Sequence, residues 1–230
     1  MTSRMNKYNA SLLELADEQY KCFHSKICPD IPADRIIGVQ IPKIRCLAAR
    51  MPKEDVFDYL ENADLYYYEE KILFGLLVSR LKNDALRDKY LVKFMKICDC
   101  WAVCDICAGA FKFIGKDREK YLQFISHYAQ SKKEFEVRFY AVTLMSYYLT
   151  DDYIEQTIKR LLEISHDGYY VKTAVAWAFS TAYIKYPEIT EKVFASMRLD
   201  PQVQNKAIQK IRDSRRVSRA DKDYLLKYKI

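Results

Sequence analysis

YYVKTAVAWAFSTAYIKYPEITEKVFASMRLDPQVQNKAIQKIRD, residues 169–213, reads as amphipathic helical segments following one another with hardly a gap. Apolar residues recur at helical spacing over 169–184, 188–197 and 202–213, and the breaks between them are short and polar. Asp200 before Pro201 is a helix start: the carboxylate accepts from first-turn amides, and proline at the first position lacks only an N–H that would have no partner. Earlier in the chain the same register returns. Glu136-Val137-Arg138, Tyr170-Val171-Lys172 and Gln204-Asn205-Lys206 align, which spaces Arg138, Lys172 and Lys206 by 34 residues. A fixed period of that size marks a stack in which each helix pair buries its apolar face only against its neighbours. Equivalent positions then line up, so the three cations are expected as a ladder on one surface, able to track a phosphate backbone.

Further pairs fall at 67–82 with 85–97, 100–114 with 117–130, 134–149 with 151–164, and 202–213 with 218–228. Thr150 with Asp151 is expected to cap the helix after it, and Asp167-Gly168 reads as a helix stop. Ahead of these, residues 5–27 read as one long amphipathic helix, Cys28 to Gln40 as an extended run broken by Pro29 and Pro32, and 42–50 as a helix. No Gly, Ser or Pro linker interrupts the chain, so residues 1–230 are taken as a single domain. The expected fold is all-α, a right-handed superhelical stack of antiparallel helix pairs with a concave basic face.

Composition agrees. Half of the 230 residues are hydrophobic, enough for a continuous core, while 5 Gly and 6 Pro are too few for the turns of a strand-rich fold. Met1 to Leu15 lack the pattern of a signal peptide, and no stretch reaches the roughly 20 apolar residues of a membrane span. A soluble, cytoplasmic monomer is expected, with its 7 cysteines reduced. Net charge is +7, and most of the excess sits in 198–230, where ten Lys or Arg face four Asp. A local field of that kind attracts a polyanion, or else belongs to a solvated terminal helix pair.

Candidates for chemistry are few. Trp101 and Asp105 are one turn apart on a predicted helix, and Trp177 lies five residues beyond Lys172. A buried carboxylate needs a partner, and Arg138 is the one expected for Asp105. Cys98, Cys100, Cys104 and Cys107 invite a metal reading, but Cys98 falls opposite Cys107 by helical angle and no His is near; small residues at close helix contacts is the preferred reading, with no metal or cofactor called for. His24, His127 and His166 are expected at the surface or as caps. Tyr169 and Tyr170, like the other paired tyrosines, are expected to seal seams between repeats rather than to stack on bases.

WAVCD at 101–105, EVRFYAV at 136–142, YYVKTAVAW at 169–177 and NKAIQKIRDS at 205–214, with GVQIPKIRCLA at 38–48, resemble the motifs of the AlkD-type DNA alkylation repair glycosylases, which are built of HEAT-like repeats. The likeness spans nearly the whole chain. It implies cleavage of the N-glycosidic bond of cationic N3- or N7-alkylated purines in double-stranded DNA. Asp105 would be the catalytic carboxylate, Trp101 and Trp177 would pack on the deoxyribose and backbone, and Arg138 would hold a phosphate. Lys172, Lys206, Lys210, Arg212, Arg215 and Arg216 would add to DNA binding, and all of these residues are expected on one inner face. One departure is expected. In active members a short extra helix between the first helix and the Gly-x-x-x-Pro motif approaches the minor groove, and here only 28–37 is available for it. Two alternatives therefore stand beside the glycosylase: a non-catalytic paralogue that binds DNA weakly, and a protein-binding scaffold.

Overall fold

A computed structural model describes residues 7–230, so residues 5 and 6 of the expected first helix lie outside the described part. Among the described residues the chain forms fourteen α-helices and no strand. Its contacts divide it into two compact units, Met1–Lys112 and Phe113–Ile230.

The first unit holds α1 (Lys7–Glu14), α2 (Glu18–Ile27), α3 (Ile41–Arg50), α4 (Lys53–Asn62), α5 (Tyr68–Val78), α6 (Asp84–Ile97) and α7 (Trp101–Ala110). Helix α5 is its centre: every residue but Lys71 is buried, and α3, α4, α6 and α7 pack around it. Apolar residues all round a helix need cover on all sides. Helix α7 comes especially close, because a Cβ added at Gly75 would lie 2.8 Å from Cys107 Cβ and nearer still to its sulfur.

The expected 5–27 helix is two helices. The first ends at Glu14, and Asp17 caps the second, its carboxylate accepting from Tyr20 N at 3.0 Å while its own N–H donates to Gly38 O at 3.0 Å. Gly38 has φ +96, and a Cβ there would lie 2.6 Å from Asp17 O, so only glycine lets the two segments meet. The buried Glu69 carboxylate fixes the other side of this loop, accepting from the amides of Ile37, Gly38 and Val39 at 3.0, 2.7 and 3.1 Å. Both helices lie within the expected 5–27 stretch, and the segment 28–37 forms no α-helix, only a 3-10 turn at Ala33–Arg35, as its prolines suggest. Helix α4 was not expected.

The second unit holds α8 (Arg118–Ser126), α9 (Glu134–Tyr147), α10 (Ile154–Leu162), α11 (Tyr169–Lys185), α12 (Pro187–Ala195), α13 (Pro201–Asp213) and α14 (Arg219–Tyr224), followed by one 3-10 turn at Leu225–Tyr228. Helix α11 packs between α9 and α13, which carry the equivalent stretches of the neighbouring repeats. Polar contacts repeat at nearly the same sequence interval: Arg160 donates to Ser126 Oγ at 3.3 Å, Gln130 to Glu163 O at 3.3 Å, and Tyr186 OH to Asp151 at 2.8 Å. The 34-residue register is thus a physical one. Asp200 caps α13 as its sequence suggests, accepting from Gln202 N at 2.8 Å and Val203 N at 3.2 Å. Two other signals misled. Residues 151–153 form a turn and α10 starts only at Ile154, without a side-chain cap; Gly168 precedes α11 as its N-cap instead of stopping the helix before it.

Candidate functional site

In the first unit the site is one face of α7. Ala102, Val103, Cys104, Cys107 and Ala108 are buried toward the core, which leaves Trp101, Asp105 and Gly109, at successive turns, on the half-exposed side. A Cβ at Gly109 would meet nothing within 4 Å among the described residues, so the face stays open beyond Asp105. Trp101 is fixed at its polar edge, its indole N–H donating to Ile27 O at the end of α2 over 3.1 Å. One hydrogen bond therefore ties α2 to the start of the helix that carries Asp105.

The cysteines do not form one helical row. Cys98 is the C-cap of α6, and Cys100 is the N-cap of α7, where its sulfur accepts from Ala102 N at 3.4 Å. Cys104 and Cys107 are buried on α7. Among the described residues no group of three or more His, Cys, Asp or Glu is placed to hold a metal ion. The Cys100 thiol beside it, with burial, pushes the Cys28 thiol up and keeps it protonated at this joint. His24, expected at the surface or as a cap, is buried: its ring lies 4.8 Å from that of Tyr68, and Nε2 is 3.3 Å from Cys28 Sγ. Burial lowers its pKa.

In the second unit the three cations spaced by 34 residues have different surroundings. Arg138 is 5% exposed, and Nη1 donates to Tyr170 O at 2.6 Å and Thr173 Oγ1 at 3.1 Å, so it bolts α9 to α11 and presents only its edge. Lys172 pairs with Asp200 at 3.1 Å and with Asp167 at 3.9 Å, which neutralises most of its field. Burial works against the Asp200 charge, yet Lys172 and the capped amides outweigh it and hold that carboxyl below its ordinary range. Lys206 lies over the Tyr169 ring, 4.5 Å from its centre. Lys210, Arg215 and Arg216 are exposed, whereas Arg212 is half-buried with Nε lacking a hydrogen-bond partner. Trp177 is 36% exposed, although its neighbours Ala174, Val175, Ala176, Ala178, Phe179 and Ser180 on α11 are buried.

Sequence reading missed Glu69 and the open side at Gly109. The partners of Glu69 are backbone amides, which leave no pattern in side-chain identity, although an acid inside an apolar helix was a signal.

No helix among the described residues is long and apolar enough to cross a membrane. No curated protein and no solved structure matches the chain. A family model described as DNA alkylation repair enzyme matches residues 9–211, from α1 through α13, and so takes in Trp101, Trp177, Asp105, Arg138, Lys172 and Lys206. With that much of its length matched, the chain belongs to the DNA alkylation repair enzyme family, of the AlkD type.

Proposed function

We propose that this DNA repair protein is an N-glycosylase that removes cationic N3- and N7-alkylated purines from double-stranded DNA. The observation that carries the reading is the half-exposed face of α7, on which Trp101 and Asp105 lie one turn apart and Gly109, a turn further on, faces open space. A purine alkylated at N3 or N7 is already a cation. It leaves with the electron pair of its bond to C1′ and becomes neutral, so it needs little help from a general acid. The sugar bears the cost, taking on oxocarbenium character until a water oxygen adds to C1′ and gives up its proton. A carboxylate beside C1′, or one that orients that water, stabilises this charge, and aromatic faces favour it as well. Asp105 is assigned the first task, and Trp101 and Trp177 the second.

Arg138 is assigned a phosphate, and the exposed Lys210, Arg215 and Arg216 lie on the strongly basic stretch that a DNA backbone would meet. The absence of an α-helix in 28–37 keeps a second reading in play, a paralogue that binds DNA weakly without excision. The glycosylase reading takes the chain as a monomeric, single repeat domain that needs neither metal nor cofactor.

The test is substrate charge. Wild-type protein is expected to release 7-methylguanine and 3-methyladenine from duplex DNA and to leave unmodified purines in place. Binding of the alkylated duplex with release of neither base, at protein excess, contradicts the reading.

A further inference from the structure

Tyr169 is the most exposed large hydrophobic residue among the described ones, at 64%. It begins α11, beside a near twin with the opposite fate: Tyr170 packs on Phe135, ring centres 5.4 Å apart, and seals the seam to α9. The expectation that both tyrosines seal seams therefore holds for one and fails for the other. Tyr169 is also held in place. The Glu134 carboxylate accepts from Tyr170 N at 2.6 Å, Gly168 caps the helix, and the Tyr170 ring stands edge-on 5.2 Å away. An exposed aromatic on a fixed backbone is how interface anchors are built, because little freedom is lost when a partner arrives.

The cation above it points to the partner. Lys206 Nζ lies 4.5 Å from the ring centre and 3.3 Å from the Tyr169 hydroxyl, and pairs with no carboxylate among the described residues, unlike Lys172. Its charge rests on an aromatic face at the solvent boundary, from which it can pass to a phosphate at little cost. Trp177 stands eight residues further along α11, which at the helical rise is about 12 Å, the span of a few nucleotides.

We propose that Tyr169 at the start of α11 and Lys206 on α13 form a second DNA contact, with the Tyr169 ring packing flat on a deoxyribose a few nucleotides from the one that Trp177 meets, and Lys206 moving from the ring to the adjoining phosphate. The inference rests on the glycosylase reading only in needing bound DNA. Its effect is on register and affinity, and the chemical step is left to Asp105.

Fluorescence anisotropy with a duplex containing a tetrahydrofuran abasic analogue, which cannot be cleaved, tests it. Tyr169→Ala should weaken binding about fivefold or more, and Tyr169→Phe should stay within about twofold, since the face and not the hydroxyl makes the contact. Lys206→Gln should weaken binding and lower the salt slope by about one. The double variant should lose less than the product of the two. Thermal melting of Tyr169→Ala should match wild type, because the side chain is exposed. If Tyr169→Ala binds within twofold of a wild type whose own binding is salt-dependent, this contact is wrong and the glycosylase reading stands. If the wild type fails to bind the duplex even at low salt, both are wrong.

Discussion

His24 shows how far a side chain's role depends on residues distant in sequence. Its ring is buried against Tyr68, 44 positions on, with Nδ1 lacking a hydrogen-bond partner, so protonation would put a second N–H and a charge where nothing accepts them. The folded-state pKa is depressed below its ordinary 6.5, and the stability that neutral His24 contributes is therefore present above pH 6.5 and lost as pH falls through the lower folded value. A melting series from pH 8 to 5 should show wild type losing stability below about 6.5, with His24→Phe losing less over the same window; parallel curves for the two contradict the assignment. Arg138 makes a different point. Because it is buried and bonded to Tyr170 and Thr173, Arg138→Ala should cost about 1–3 kcal/mol in urea unfolding in addition to any effect on DNA. At this scale the sequence revealed spacing but not surroundings. Trp101 and Asp105 share a face because they are one turn apart, whereas the immersion of His24 and Glu69 comes from distant partners.

Helices were legible where the apolar stripe is uninterrupted, and less so where a break is made by the backbone. Helices α9, α11 and α13 start and stop within two residues of where periodicity puts them. The joint between α1 and α2 was hidden because the apolar residues run on through Leu15 and Ala16, and the break is imposed by Asp17 meeting Gly38 from another segment. Helix α4 was overlooked although Glu54 and Asp55 begin it and Val56, Tyr59 and Leu60 make its buried stripe. Helices α5 and α7 cross closely at Gly75. Gly75→Ala places a methyl against Cys107 and should destabilise by about 1–3 kcal/mol, a fall in Tm of roughly 2–4 °C per kcal/mol. Gly75→Ala with Cys107→Ala should recover much of it; equal losses in the single and the double variant would show that the crossing is not the cause.

Over the whole molecule, charge is the property that local structure redistributes most. The excess in 198–230 was plain from the sequence, but Lys172 and Arg138 turn out to be engaged by the fold while Lys210, Arg215 and Arg216 remain outward. Duplex affinity should fall linearly on a log–log plot against salt, and Arg215→Gln with Arg216→Gln should lower the slope by about two, far more than Lys172→Gln. Equal slopes for all three proteins would move the DNA contact away from the C-terminal stretch. The central claim, that Asp105 carries the excision, is tested most directly by single-turnover release of 7-methylguanine by wild type and Asp105→Asn, with DNA affinity measured in parallel. The account predicts a fall of about a hundredfold or more at unchanged affinity. Release at the same rate by both proteins would contradict it.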